Sequence, residues 1–565
     1  MPRTLSRPLT LALALTIAGT PVSVFAQTTP NPLAQPTAPE AATRRLTVED
    51  AVKLALEHNL GVQVARVTPQ IQDFSIAQAR ANWAPTLTSS VLTNSNTQPP
   101  RNIFAGGQTA VTDERTSGGF GVQQNLPWGG GFYSANWNSN RSTTSNIFTS
   151  FDPTLSSNVN LTFVQPLLRN FNIDAIRQQV LIGHKNREIA DIDLQETIAN
   201  TSRSVRNAYW DLSFAIASLD VQNQSLELAR ESLRNNRARV EIGTMAPIDI
   251  VEAEAEVALR EEAVILAEAQ IQRAEDNLRA LIYDPAMPDF WTIKIVPADM
   301  PPFQPITVSI DEAVRTALDR RTDLRSTRKS LEANDVSIRY FRNQTLPDVN
   351  AQVDYGLSGL GGTNLQRGIG PLGPGTGDIL NRTQRSFGSV LGDLFNNRYP
   401  VWTVSLNIGY PIGTSTAEAG LARARLQHSQ AQTQLKNQQL QVATQVRDVG
   451  RQVQTNQKRV EATRASRQLA ERRLEAEEKK FQAGMSTSFF VFQAQRDLSQ
   501  ARANELRAIT DYNRSLVDFE TVQEAPLGGG GSAAGIITGG GSTGGGNNVG
   551  STGSGAGNQQ QQQQR

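Results

Sequence analysis

Two periods of apolar residues run along this chain and divide it into two kinds of element. Over long stretches the period is seven. Val205, Leu212, Leu219, Leu226, Leu233 and Val240 form one such series, and Ile250, Val257, Val264, Ile271 and Leu278 a second. Val491, Leu498, Tyr512 and Phe519 keep the same spacing, accompanied by Ala494, Ala501 and Ala508. Heptads sustained this far predict supercoiled helices packed knobs into holes. A helix from about residue 172 to 240 would be roughly 100 Å long, more than a globular core needs. Elsewhere the period is two. In Trp402-Thr403-Val404-Ser405-Leu406-Asn407-Ile408-Gly409-Tyr410 every second residue is apolar, and Val349, Ala351, Val353 and Tyr355 alternate with Asp348, Asn350, Gln352 and Asp354. Val159, Leu161 and Phe163 alternate likewise with polar neighbours. These segments read as strands with one apolar and one polar face.

The pattern occurs twice. Glu49-Asp50-Ala51-Val52 followed by Leu56 recurs as Asp311-Glu312-Ala313-Val314 followed by Leu318, and Pro85 recurs as Pro347 at the same offset. Val205-Arg206-Asn207 answers to Val446-Arg447-Asp448, and the turn Ile242-Gly243-Thr244 to Ala483-Gly484-Met485. Such self-similarity predicts tandem copies of one structural unit. The first copy is expected over 46–297, with helices in 46–83, a strand region in 86–165 and long helices at 170–241 and 247–283. The second is expected over 298–526, with helices in 308–345, strands in 348–410 and long helices at 415–482 and 487–522. Proline after the opening helices stops them in both copies. Gly118 to Gln124 and Phe132 to Asn138 flank Pro127-Trp128-Gly129-Gly130-Gly131 as a further hairpin, giving the first copy four strands against two in the second. The Gly-rich stretch from Ser358 to Pro400 reads as a long loop between strands.

The two ends carry different information. Arg3 and Arg7, an apolar run from Leu9 to Ala18 and Val24-Phe25-Ala26 make a secretory signal peptide over 1–26, with cleavage expected after Ala26. Residues 27–45 read as a flexible leader, and the Gly-, Ser- and Gln-rich segment 527–565 as a disordered tail. After Ala26 no apolar stretch is long enough for a spanning helix, so membrane insertion has to use strands. The aromatics Trp402 and Tyr410 bounding a strand of about membrane length favour a barrel over a half-buried soluble sheet. One chain's four to six strands do not enclose a conduit, so several chains must share one barrel. The alternative is a structural coiled-coil envelope protein without a conducting lumen, which leaves the strands unexplained.

Composition removes most chemistry. There is no cysteine, hence no disulfide, thiolate or lipidated N-terminal cysteine, and 54 basic against 53 acidic residues make no electrostatic case for nucleic acid. His58, His184 and His428 are the only histidines, none at metal-ligand spacing from a carboxylate. No nucleophile elbow, phosphate loop or zinc-protease motif occurs. No catalytic residue, metal or cofactor is expected.

The duplicated plan resembles the TolC-like outer-membrane efflux proteins over Leu46 to Glu520. The resemblance is carried by Leu46-Thr47-Val48-Glu49-Asp50-Ala51-Val52 and its repeat, by Gln165-Pro166-Leu167-Leu168-Arg169 leaving a strand, and by the turns at Gly243 and Gly484. It implies an α+β membrane protein: a homotrimeric transmembrane β-barrel in outer-membrane lipid, continued into the periplasm by an α-helical coiled-coil barrel. It further implies a passive exit duct for tripartite efflux or type I secretion, with a periplasmic adaptor and an inner-membrane transporter of RND or ABC type as partners. The tip residues Gly243, Thr244, Met245, Gly484, Met485 and Ser486 would meet the adaptor. Asp249 matches the family's gate aspartate, but Phe481 replaces its tyrosine partner, Ser486 the basic gate position, and Phe490 and Gln493 the acidic ring. Those departures predict a hydrophobic seal by Phe489, Phe490 and Phe492, with Asp249 a minor polar element.

Overall fold

The computed structural model describes residues 43–99, 110–146, 148–370, 373–413 and 415–528. The expected signal peptide, residues 27–42 of the leader and the tail from residue 529 lie outside the described residues.

The chain enters through β1 (Thr43–Leu46), which pairs in parallel with β6 (Lys294–Pro297). This corrects the leader, read as flexible to residue 45. A four-residue strand whose partner lies about 250 residues onward leaves no local periodicity to read. Thr47 then starts α1 (Val48–His58) with a capping box to Asp50, which satisfies amides that a helix start otherwise strands. Asn59 ends α1 and starts α2 (Leu60–Ala81), its Oδ1 accepting from the Val62 amide at 3.2 Å.

The strands β2 (Thr86–Gln98), β3 (Val111–Asn125), β4 (Phe132–Thr144) and β5 (Phe151–Pro166) follow as an antiparallel meander. The hairpin around Pro127 to Gly131 is therefore present. Next come α3 (Ala175–Glu241), capped by Asp174, and α4 (Ile248–Ile282). After β6, α5 (Ile310–Arg320) and α6 (Thr322–Gln344) lead to β7 (Asp348–Gly370), which pairs with β5 from Asn350 to Asn364. The region expected to be a loop from Ser358 is instead ordered. β7 runs on to Gly370, β8 (Gly373–Arg385) pairs with its distal half, and α7 (Phe387–Phe395) precedes β9 (Pro400–Gly409). Glycines dominate that stretch because Gly359 and Gly361 pack directly under Val390 of α7, where a Cβ would collide. β9 pairs with the proximal half of β7, so β8 and β9 share one edge and six strands lie abreast. The chain closes with α8 (Thr416–Gln482) and α9 (Ser488–Val522). Leu527, the first residue of the expected tail, still packs on the cluster of Ala313, Ala317, Val442 and Val446.

The long helices pack laterally, α3 between α4 and α9, and α9 between α3 and α8. Nearer the sheet, α3 lies between α2 and α6, with α8 beyond α6. The largest apolar core is a collar where β1 and β6 meet the helices: Tyr209, Leu212, Leu278, Ile282 and Ile295 are fully buried there. The Tyr209 hydroxyl donates to Leu46 O (3.0 Å) and accepts from the Asp299 amide (2.9 Å), tying α3 to the C-terminal end of both strands of that clasp. Where β5 passes into α3, Arg169 Nε donates to Gln344 Oε1 and Gln344 Nε2 to Asn170 Oδ1. These bonds fix the sheet on the helices.

Candidate functional site

The sheet has two unlike faces. Register places Leu87, Val122, Ala135, Leu161, Tyr355 and Trp402 on one face, with Val91, Phe120, Trp137, Val159, Val353 and Val404. Neighbours along each strand fall on the other: Thr88 and Ser90, Gly121, Asn136 and Asn138, Asn158 and Asn160, Gln352 and Asp354, Thr403 and Ser405. The apolar face is open to solvent in the single chain, with Val91, Trp402 and Ile408 each more than two-thirds exposed. A sheet that is apolar outward and amide-lined inward is the pattern of a barrel wall in lipid. Among the described residues no helix is long and apolar enough to cross a membrane.

Among the described residues, both flanks of the molecule end in unpartnered strand edges. β2 bounds the sheet on one side and β9 on the other, and each has one free row of backbone groups. On the β2 side, α2 exposes Leu60, Val64, Val67, Ile71 and Phe74, spaced four and three apart as a helix seam, and α4 exposes Val251, Leu259 and Leu266. On the β9 side, α8 exposes Leu426, Leu440 and Leu469. The two flanks differ in the elements they present.

At the far end the two helical hairpins turn through Gly243 and Gly484, at φ +73° and +72°. Both turns close by the same pair of bonds. Gly243 N donates to Val240 O and Thr244 N to Arg239 O; Gly484 N donates to Phe481 O and Met485 N to Lys480 O. This is a helix stop that requires a left-handed residue, which glycine supplies without strain. No atom lies within 4 Å of where either Cβ would be, so these glycines answer to backbone conformation alone. Met485 is largely exposed and Met245 half-buried, while the Ser486 hydroxyl donates to Glu477 Oε2 at 3.1 Å.

The gate candidates separate on inspection. Asp249 Oδ1 accepts from Ser488 Oγ at 3.0 Å, joining the start of α4 to the start of α9. Phe481, which has no hydrogen bond to offer, lies under the Arg239 guanidinium at 4.5 Å. Gln495 Nε2 donates to Ser232 Oγ at 3.1 Å as a third link between hairpins. These links border a polar cavity of about 270 Å³ that also takes in Glu231 and Glu478. Burial, then the charges of Glu231 and Glu475, push the Glu478 carboxyl up from its ordinary value. Phe489 and Phe490 are half-exposed and meet edge to face at 5.7 Å, with Gln493 half-buried nearby. Phe492 is buried within the hairpin pair, which corrects its place in the expected seal. It sits on the inward heptad face beside Val491, whereas Phe489 and Phe490 lie outside it.

Arg239 and Ser488 escaped the sequence reading. Arg239 could have been found as the cation in the last turn of α3; nothing in the sequence pairs Ser488 with an aspartate 239 residues earlier. His428 Nδ1 stands 3.4 Å from Asp335 of α6, a proximity that helix packing creates and spacing hid. No cluster of three or more metal-ligating side chains occurs among the described residues.

This combination of an amphipathic sheet on a long-helix stalk is the mixed fold of outer-membrane channels. The chain is similar to the Campylobacter jejuni CmeC outer membrane channel (TM-score 0.59, 13% identity, covering 84% of this chain and 85% of that one). It is similar also to the open state of the Neisseria gonorrhoeae MtrE outer membrane channel (TM-score 0.56, 16% identity, 85% and 89%). In sequence it is 23% identical over 323 residues to the outer membrane efflux protein BepC of Brucella suis biovar 1 (strain 1330), which covers 57% of this chain. The match spans 58% of that relative's length, less than two thirds of it. The model of the outer membrane efflux protein family matches residues 130–282 and 313–522. The chain belongs to that family, which places it in the outer membrane.

Proposed function

We propose that this protein is the outer-membrane exit duct of a tripartite efflux or type I secretion system, a passive conduit across the outer membrane and periplasm. Its working form is a homotrimer built from two tandem repeats per chain. The observation that supports the reading is the pair of open flanks: in the trimer, β2, α2 and α4 on one side would meet β9 and α8 of the next copy on the other. Three copies place about 18 strands around one barrel, a size that leaves an aqueous lumen, and α3 extends the tube by roughly 100 Å. The amide-rich inner face supports a conduit over a solid coiled-coil rod.

In this reading the turns at Gly243 and Gly484 receive a periplasmic adaptor, and an RND or ABC inner-membrane transporter supplies the energy. Phe489 and Phe490 narrow the tip, with Asp249 tied to Ser488 beside them. Single-particle imaging of the detergent-extracted protein, with conductance in planar bilayers, tests this. A three-fold tube that conducts is the expected result. A rod without a lumen and without conductance would overturn it.

A further inference from the structure

The helix α7 is not used by the conduit. It lies across β5 and β7 at their distal ends, on the apolar face of the sheet: Val390 covers Gly359 and Gly361, and Ser157 beneath is buried. Its apolar residues exceed what the sheet takes up. Val390 and Leu394 are buried against the strands, but Phe395, a step round the helix, is 85% exposed. From there the chain runs through exposed Tyr399 into Trp402, Val404, Leu406 and Ile408, so the exposed apolar surface of α7 continues the outward band of β9. The Tyr355 hydroxyl donates to Asn397 Oδ1 at 2.7 Å and holds the C-terminal end of α7 at the top of that band.

Positive charge flanks α7 in the chain. Asp393 is buried and accepts from both Arg385 (2.8 Å) and Arg398 (3.2 Å), leaving one net positive charge, and Arg382 is exposed on β8 three residues before Arg385. A short helix with an exposed aromatic at its end and guanidiniums flanking it in the chain suits the boundary between acyl chains and headgroups. We propose that α7 is an outer-leaflet anchor, with Phe395 in the acyl boundary and Arg382, Arg385 and Arg398 on the phosphates of lipid headgroups. The orientation rests on the barrel reading above. The occupant is lipid because the aromatic surface continues the band already turned to lipid, and because the paired charges are phosphate-seeking.

The cysteine-free chain permits a clean test. The full protein carrying Phe395→Cys, labelled with an environment-sensitive dye, is inserted into vesicles of phosphatidylcholine and phosphatidylglycerol; Asp378→Cys on β8 is the aqueous reference. Nitroxide lipids spin-labelled at the upper acyl chain should quench the 395 label strongly and the 378 label weakly, with iodide acting in reverse. The unlabelled protein should prefer phosphatidylglycerol vesicles, and Arg382→Gln and Arg398→Gln should each reduce that preference, by up to about fivefold. A 395 label quenched by iodide and not by lipid, in protein that conducts, overturns the anchor and spares the duct. A label shielded from both means protein, such as a second copy, covers α7, and also overturns it. Protein that neither inserts nor conducts overturns both.

Discussion

The collar is built on α3 and α4, two of the four long helices that reach the tip, and the two ends are packed on opposite principles. At the collar the heptads are filled by large side chains, and Tyr209 is wholly buried with its hydroxyl satisfied on both sides. Arg279, equally buried, is held by Glu275, Asp276 and the Ile293 carbonyl. At the tip the hairpins meet through isolated links: Ser488 to Asp249, Gln495 to Ser232 and Arg239 over Phe481. Ile242, Ile248 and Met485 stay in solvent. Local stability follows buried apolar contact, and the elements that must move come from the loosely packed end. On the function proposed above, the comparison gives holding to one end and opening to the other.

The sharpest way to break this division is Tyr209→Ala. It removes a fully buried ring and leaves the Leu46 carbonyl and Asp299 amide without their partner, so a loss of about 3–5 kcal/mol is expected. Tyr209→Phe keeps the ring and should lose about 1 kcal/mol. Urea unfolding followed by circular dichroism reads both. Equal losses for the two variants would mean the collar depends on the hydroxyl clasp and not on packing.

How far this division was legible in the sequence differs between its ends. Heptads run through both, because supercoiling needs them throughout, and the seven-residue series from Val205 to Val240 located α3 within a few residues. Where Asp174 caps α3 the helix starts later than expected, since periodicity does not see a cap. The amphipathic strands were readable because Trp402 to Ile408 alternate strictly. The β1–β6 clasp and α7 were not, since short elements that draw their stability from distant partners carry no period of their own. At the tip the glycines were legible through their repeated setting. The links Ser488–Asp249 and Arg239–Phe481 join residues more than 200 positions apart, and only packing brings them together. Phe492 looked like its aromatic neighbours but fell on the inward heptad face.

A smaller effect sharpens the other half of the comparison. Arg239→Ala removes a contact worth about 0.5–1 kcal/mol at an exposed site, too little to disturb global unfolding. If that contact holds the hairpins together, open probability in planar bilayers should rise about two- to fivefold. Ser488→Ala should act in the same direction. A drop in global stability comparable to that of Tyr209→Ala, with no change in gating, would show that the tip is part of the scaffold.

The smallest effect concerns pH. Glu478 on α8 faces Glu231 of α3 across the polar cavity, with Glu475 on its own helix and Arg239 bordering the same space. Burial and the two carboxylates raise its proton affinity in the folded tip. A carboxyl that holds its proton more tightly folded than unfolded contributes fully below its ordinary value, and that contribution is lost as pH rises through the raised value. The hairpins should therefore sit together more firmly in mild acid and loosen as Glu478 ionises. Being partly open to solvent, the group should produce only a shallow rise in open probability over that interval. Glu478→Gln should flatten it near the acidic level, because the amide keeps the neutral form at every pH. Since Glu478 lies at the loosely packed tip and not in the collar, global unfolding of the two proteins should differ far less over the same interval. A pH slope that survives Glu478→Gln would move the sensor elsewhere and leave the tip held by its neutral links alone.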